Sequence, residues 1–344
     1  MDDGLGAIGG ARGGGVGGGG GVGEGGGVGE GGGGEGGAAL GPLTGVRVRR
    51  VAAWLGPNAG VSASEMAQEL AAGAWAAEAR LMKSQGPSWV ARARLMHRDC
   101  VIKVREAGGL VEALKRAVGG SRGHRHWRAA LWLLRRDIAT PAPVALATAR
   151  QGGRLVEVLV TAYVPGRTLL RMLGEGGGDA RAQLRVARAA GALVAEVLHG
   201  GRYNRDHKPS NVLLIAPRGG PHLASDGHQI AQKPALALLD PVGLRRVRAA
   251  EAAVTAAARM LASQVIEPTG VGCPPRGALR RAALRACLER RWELDAPPES
   301  QASPHEPMDV EWERVSARAY WRAVAQMVRA HGDPTPRVNP LDDA

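Results

Sequence analysis

The chain has 344 residues, 52 of them glycine, and its formal net charge at pH 7 is +13. No run reaches the roughly 18 apolar residues of a membrane span, and the first residues lack the basic and apolar regions of a secretory signal. We therefore expect neither a membrane helix nor export. Because the basic residues are almost all arginine, as GC-rich codon usage produces, we expect the charge to favour anionic partners only weakly.

The two ends of the chain are predicted to lie outside the folded part. Residues 1–40 contain 23 glycines and almost no large apolar side chain, so they are predicted to form a disordered Gly-rich tail. Residues 331–344 are predicted to be a flexible C-terminus. The three cysteines, Cys100, Cys273 and Cys287, lack CxxC spacing. This favours reduced thiols over disulfides or a zinc site.

The first half of the folded part is predicted to be rich in strands. In chain order, the patterns predict a helix over 61–80, paired strands at 88–95 and 100–104, a helix over 110–137 and a hairpin of strands 144–150 and 154–164. Trp127, Leu131 and Leu134 have the spacing of a packed helix. Pro141 and Pro143 forbid its continuation.

The second half is predicted to be mainly helical. After a turn at 164–169, the expected elements are a helix over 179–199, a loop over 216–234 and helices over 246–264, 276–292 and 309–330. A β-rich segment followed by a helical one indicates an α+β fold. The predicted boundaries are 61–162 for the first part and 163–330 for the second.

Three short motifs carry residues suited to chemistry. Asp206, Lys208 and Asn211 stand at the spacing D-x-K-x-x-N directly before an apolar run, and Asp240 follows a second apolar run in DPVG. Lys103 lies inside the strand-like run CVIKV. Each residue alone has a structural explanation, such as an edge-strand lysine or a turn aspartate. Together the three motifs seldom arise by accident.

This set resembles the protein-kinase-like superfamily, with a strand lysine, a catalytic loop and DPVG in place of D-F-G. Within it, the chain looks most similar to the bacterial lipopolysaccharide core kinases, which phosphorylate heptose or Kdo sugars. The segments that carry this likeness are HWRAALWLLRRDIATPAPVAL and YVPGRTL, within roughly residues 78–265. The resemblance implies a bilobal protein-kinase-like fold with a β-rich N-lobe and a helical C-lobe.

The resemblance also implies the role of each motif residue. Asp206 and Lys208 would be catalytic, Asp206 accepting the proton of the acceptor hydroxyl and Lys208 lying near the transferring phosphate. Lys103, Asn211 and Asp240 would bind the cofactor ATP, with Asn211 and Asp240 as ligands of Mg²⁺.

The chain also departs from the family pattern. A Glu-Trp pair commonly opens the helix that supplies an acid to the strand lysine, and here the pair is His126-Trp127, with Glu112 as an alternative acid. Asn204 replaces the histidine of the catalytic loop. Arg245, Arg246 and Arg248 either grip an anionic acceptor or form a solvated basic turn.

The expected function is an ATP- and Mg²⁺-dependent kinase acting on an alcohol group of a sugar or of another small or lipid-linked acceptor. A catalytically inactive pseudokinase that serves as a scaffold is the main alternative, and a basic nucleic-acid binder is the third. Nucleic acid is not an expected partner. The expected location is cytoplasmic, with peripheral contact to an anionic inner membrane, although no amphipathic anchor is evident in the sequence.

Overall fold

The computed structural model describes residues 40–51, 61–85, 88–176, 179–215, 234–247, 250–295 and 310–335. Apart from Leu40 and Pro234, the predicted tail at 1–40 and the predicted loop at 216–234 lie outside these ranges. Residues 336–344 of the predicted C-terminal segment lie outside them as well.

An antiparallel six-stranded sheet forms the first part of the fold. Its strands are β1 (Thr44–Val51), β2 (Arg80–Gln85), β3 (Ser88–Leu95), β4 (Arg98–Glu106), β5 (Pro143–Gln151) and β6 (Arg154–Ala162). Their order across the sheet is β1-β5-β6-β4-β3-β2. The predicted pairing of β3 with β4 and the predicted hairpin of β5 and β6 are confirmed. The helix expected over 61–80 is shorter, since α1 (Ala63–Ala72) ends before Gly73 and β2 begins at Arg80.

The prediction of a single helix over 110–137 was wrong. The chain forms two helices there, α2 (Leu110–Ala117) and α3 (Arg122–Leu134). Gly119, with φ of 65°, lies between them in a conformation that favours glycine. Ser121 then caps α3 by accepting a hydrogen bond from the backbone N–H of His124. The break separates a buried helix from one that has no buried residue.

Helices form most of the second part, as predicted, with ends shifted by a few residues. They are α4 (Leu169–Gly174), α5 (Ala180–His199), α6 (Ala250–Gly270), α7 (Gly277–Asp295) and α8 (Val310–Ala330). Five short strands accompany them: β7 (Gly166–Thr168), β8 (Arg202–Asn204), β9 (Val212–Ile215), β10 (Ala235–Leu238) and β11 (Leu244–Arg246). They pair as β10-β9-β7 and as β11-β8. The protein is therefore a mixed α/β protein with a large antiparallel sheet.

Two main clusters of apolar side chains lie in the two parts. One face of the six-stranded sheet packs with α1, and the other large cluster joins α5, α6, α7 and α8. Trp127 of α3 packs with Leu146 and Leu159 on the opposite face of the sheet. No helix within the described ranges is both long and apolar enough to cross a membrane.

Alternation along β4 decides which side chains face away from the sheet core. Ile102 and Val104 are buried among the core residues, so Lys103 and Arg105 point to the other face. That face carries α3 and borders the candidate site. The period of two along β4 thus turns Lys103 away from the apolar core.

Candidate active site

All five residues that the sequence singled out line one cleft. The cleft has a volume of about 950 Å³, and its wall includes Lys103, Asp206, Lys208, Asn211 and Asp240. These residues come from three separate parts of the chain, namely β4, the loop after β8 and the end of β10. Cavities of this size are typical of small-molecule sites.

Lys103 is held in the cleft wall by the register of the sheet. It lies opposite Val90 of β3 and Leu159 of β6. Burial lowers the pKa of its ammonium group, and the negative charge of Asp240 opposes that shift. Among the described residues, no carboxylate oxygen lies within 4.0 Å of its Nζ atom, the limit for an ion pair. Asp240 is thus the acid that acts on Lys103, from beyond ion-pair distance.

His126 occupies the helix position where the resemblance implies an acid. Its Nδ1 atom lies 3.1 Å from Oδ1 of Asp240, and the imidazole is almost fully buried. Burial and the charge of Lys103 lower the pKa of His126 to about 4, so the ring is neutral at pH 7. Because an ionised carboxylate can only accept, Nδ1 carries the proton and donates to Asp240. Nε2 has no hydrogen-bond partner among the described residues.

Asp240 is surrounded by donors and cations. Arg122 places its Nη2 atom 3.5 Å from Oδ2, so each carboxylate oxygen faces one group of α3. Burial alone would raise the pKa of the carboxyl group, but the hydrogen bond from His126 and the charges of Lys103 and Arg122 lower it well below its usual range. Asp240 therefore stays ionised at neutral pH.

The two acids nearest to α2 and α3 are engaged elsewhere. Glu112, the alternative partner for Lys103, binds the Nζ atom of Lys115 at 2.6 Å, so that expectation was wrong. Glu157 of β6 is buried and accepts hydrogen bonds from the Ser121 hydroxyl and from the backbone N–H of Gly123, the latter at 2.6 Å. An anion at this end of α3 stabilises the first turn. This role of Glu157 was not predicted from the sequence. Its only sign in the sequence is that it is a single acid within an apolar run.

The loop after β8 is organised by local hydrogen bonds. The backbone N–H of Asp206 donates to Oδ1 of Asn204 at 3.2 Å, and Nδ2 of Asn211 donates to the backbone carbonyl of Asp206 at 3.1 Å. Asn204, at the position where the resemblance implies a histidine, is fully buried and holds the loop. No side chain of the described residues binds the carboxylate oxygens of Asp206. Its carboxylate therefore lies in the cleft wall without a side-chain partner among the described residues.

Two contacts hold the DPVG segment against the loop after β8. β9 follows Asn211 and pairs antiparallel with β10, and the backbone N–H of Leu239 donates to the carbonyl of Asn211 at 2.9 Å. Gly243 packs so tightly on the loop that a Cβ atom there would collide with Asn204 and meet Asp206. DPVG therefore requires its glycine for close approach.

Lys208 is tethered by a residue that the sequence did not reveal. Its Nζ atom lies 3.5 Å from Oε1 of Glu267 on α6. The same carboxylate accepts hydrogen bonds from the hydroxyl of Ser210 at 2.6 Å and from its backbone N–H at 2.8 Å. Glu267 thus fixes both the turn and the lysine, and its only signal was a single acid near the end of an apolar helix.

The arginines expected to grip an anionic acceptor lie elsewhere. Arg245 donates to the backbone carbonyls of Val242 and Leu244, and neither it nor Arg246 lines the cleft. Both lie in strand β11, which pairs with β8, rather than in a turn, and Arg248 lies outside the described residues. Other cations line the cleft instead, among them Arg105, Arg122, Arg125, Arg167 and Arg171.

Oxygen donors suited to a hard cation meet in the cleft. In the described parts of the chain, no group of three or more His, Cys, Asp or Glu residues could hold a metal ion. Mg²⁺ does not require three such protein ligands, since it is commonly bound by one or two protein oxygens together with phosphate and water. The Oδ1 atom of Asn211 and the carboxylate of Asp240 are such oxygens, so the donor set fits Mg²⁺ bound with a nucleotide.

Comparisons with known proteins add no assignment: neither a family model nor a curated protein matches the chain.

Proposed function

We propose that the protein is an ATP- and Mg²⁺-dependent phosphotransferase acting on an alcohol group. The observation that carries the proposal is the meeting of Lys103, Asp206, Lys208, Asn211 and Asp240 in one cleft. In this proposal the six-stranded sheet, which also includes β1 (Thr44–Val51) ahead of the predicted boundary at 61, belongs to the N-lobe of a protein-kinase-like fold, and 163–330 is the C-lobe.

Each side chain has a role that its surroundings support. Phosphoryl transfer spreads negative charge over the phosphate oxygens, so it depends on positioning and on fixed cations. Lys103 would contact the phosphates of ATP, while Asn211 and Asp240 would hold Mg²⁺, which neutralises the phosphates. Asp206, whose carboxylate is free, would orient the acceptor hydroxyl and take its proton. Lys208, tethered by Glu267, would lie near the phosphate being transferred.

The acceptor is a small or lipid-linked molecule such as a sugar. After DPVG the chain passes through β11 and enters α6 at Ala250. This connection is too short to form a long surface for a peptide. The arginines of the cleft wall favour an acceptor that carries anionic groups, because guanidinium groups bind phosphate and carboxylate in a bidentate manner.

An inactive pseudokinase is the second candidate, favoured by one observation. His126 and Arg122 already contact both oxygens of Asp240, and Lys103 has no ion-pair partner among the described residues. A scaffold could keep this arrangement without turning over a nucleotide. The phosphotransferase remains the better conclusion because every residue that the chemistry needs is present.

The first test is nucleotide binding by the full chain. Saturating Mg·ATP should raise the free energy of unfolding by about 3 kcal/mol at a hundredfold excess over Kd, seen as a higher melting temperature. Mg²⁺ alone and ATP with a chelator are the controls and should stabilise much less. Equal melting temperatures with and without Mg·ATP would contradict the proposal.

A further inference from the structure

Helix α2 presents its apolar side to solvent. Four side chains, called here the α2 face, are exposed: Leu110 by 86%, Val111 by 65%, Leu114 by 65% and Val118 by 72%. With 3.6 residues per turn they fall within an arc of about 100°. An exposed leucine by itself needs no explanation, but a contiguous apolar strip does.

The polar side of α2 is the side that contacts the protein. Glu112 and Arg116 are the large side chains of the helix that are partly buried, and the guanidinium of Arg116 donates to the carbonyl of Ala107. α2 has no buried residue. A surface helix of a globular protein normally turns its apolar side inward. The reversed orientation leaves the α2 face free for an apolar environment outside the molecule.

Cations surround the α2 face. The basic rim consists of Lys115 on α2 and of two exposed arginines on α3, Arg125 and Arg128, whereas Arg122 is turned to Asp240 in the cleft. Arg128 donates to the carbonyl of Gly119 at 2.9 Å, which places it at the C-terminal end of α2. The one acid of α2, Glu112, is paired with Lys115. The surroundings of the apolar strip are therefore positively charged.

The strip also lies beside the cleft. Glu112, Lys115 and Arg116 of α2 line the cleft, and so do Leu81 and Met82 of the edge strand β2, which are exposed by 38% and 44%. Among the described residues, six of the eight exposed large apolar side chains thus lie on α2, its C-terminal end or β2. Exposed apolar surface is concentrated around the cleft mouth.

We propose that the α2 face and its basic rim dock the protein on the surface of an anionic phospholipid bilayer. An apolar strip flanked by Lys and Arg is the pattern of helices that lie in the membrane interface. Each cation near the surface adds to the attraction by anionic lipids. The sequence pattern over 110–137 concealed this helix because it continues into α3. Docking does not depend on phosphotransferase activity, but it would hold the cleft mouth near lipid-linked molecules.

The test is cosedimentation of the full chain with vesicles of phosphatidylcholine containing about 30% phosphatidylglycerol. The wild type should bind these vesicles, and binding should weaken as salt rises from about 0.1 M to about 0.5 M. Leu114→Glu should lower the partition coefficient about tenfold or more, since one inserted leucine contributes at least that factor. The matched control, Leu184→Ser on the exposed side of α5, should bind as the wild type does.

Three results would overturn the proposal. They are no binding to the anionic vesicles, equal binding by Leu114→Glu and the wild type, and a dimer in light scattering that Leu114→Glu dissociates. In the last case a second copy of the chain covers the α2 face. Should Leu114→Glu fail to fold, Leu114→Trp keeps the apolar character and decides instead. Brominated lipids should quench its added fluorescence but not that of Leu184→Trp, and equal quenching would overturn the proposal.

Discussion

The two sides of the cleft are held by different kinds of contact. On the loop side, Asn204, Asp206 and Asn211 are joined by hydrogen bonds between residues two and five positions apart in the chain. On the sheet side, where α3 packs on the six-stranded sheet, His126 contacts Asp240, a residue 114 positions away in the chain. The loop side therefore has an arrangement largely specified by its own segment. The geometry around Lys103 instead depends on how α3 packs on the sheet.

The charges of the two sides differ as well. Asp206 is an acid whose carboxylate no described side chain binds, whereas Asp240 is an acid among the cations Lys103, Arg105 and Arg122. Removing the charge of Asp240 should therefore lower the free energy of unfolding more than removing the charge of Asp206. The first two predictions use this difference between the sides.

The largest effect on stability is expected for Asp240→Asn. The variant leaves the half-buried ammonium group of Lys103 without the negative charge that offsets its desolvation, and a desolvated charge that loses this compensation costs about 3 kcal/mol. The free energy of unfolding, measured by urea denaturation, should fall by that order. The double variant Lys103→Met/Asp240→Asn removes both charges and should recover more than half of the loss. Equal stabilities of the single and double variants would show that the two residues are not coupled.

A smaller effect is expected on the loop side, at His207. Its imidazole is fully buried, neither nitrogen has a hydrogen-bond partner among the described residues, and burial lowers its pKa to about 4. In the unfolded chain the imidazole has a pKa of about 6.5, so between about pH 6.5 and about pH 4 it binds a proton that it does not bind in the folded chain. The free energy of unfolding should thus decrease as the pH falls from about 6.5 to about 4, by up to about 3 kcal/mol from this group.

The variant His207→Leu should remove that share of the pH dependence. Urea denaturation near pH 7 and near pH 4 measures it, and the remaining slope would include the contribution of His126, whose pKa burial also lowers to about 4. The matched control, His331→Leu, removes an exposed imidazole and should keep the wild-type profile. A His207→Leu profile as steep as that of the wild type would contradict this account.

The same contrast explains what the sequence could predict. The strand pairs β3–β4 and β5–β6 follow from alternation within short runs, and the loop residues follow from a motif of six positions. The contacts of Glu157 and Glu267 could not be predicted, because each joins segments that only the packed fold brings together. The division of 110–137 into two helices was missed because both halves have helical spacing, and the exposed side of α2 depends on its neighbours.

The most direct test of the central claim is phosphate transfer by Asp206→Asn. The assay follows transfer of the γ-phosphate of ATP to added heptose or Kdo, together with ATP hydrolysis, in the presence of Mg²⁺. If Asp206 takes the proton of the acceptor, its replacement should lower turnover about 10³-fold and leave Mg·ATP stabilisation intact. The matched control, Asp295→Asn on the exposed end of α7, should keep wild-type turnover. Turnover by Asp206→Asn at the wild-type rate, or an equal loss in both variants, would contradict the account.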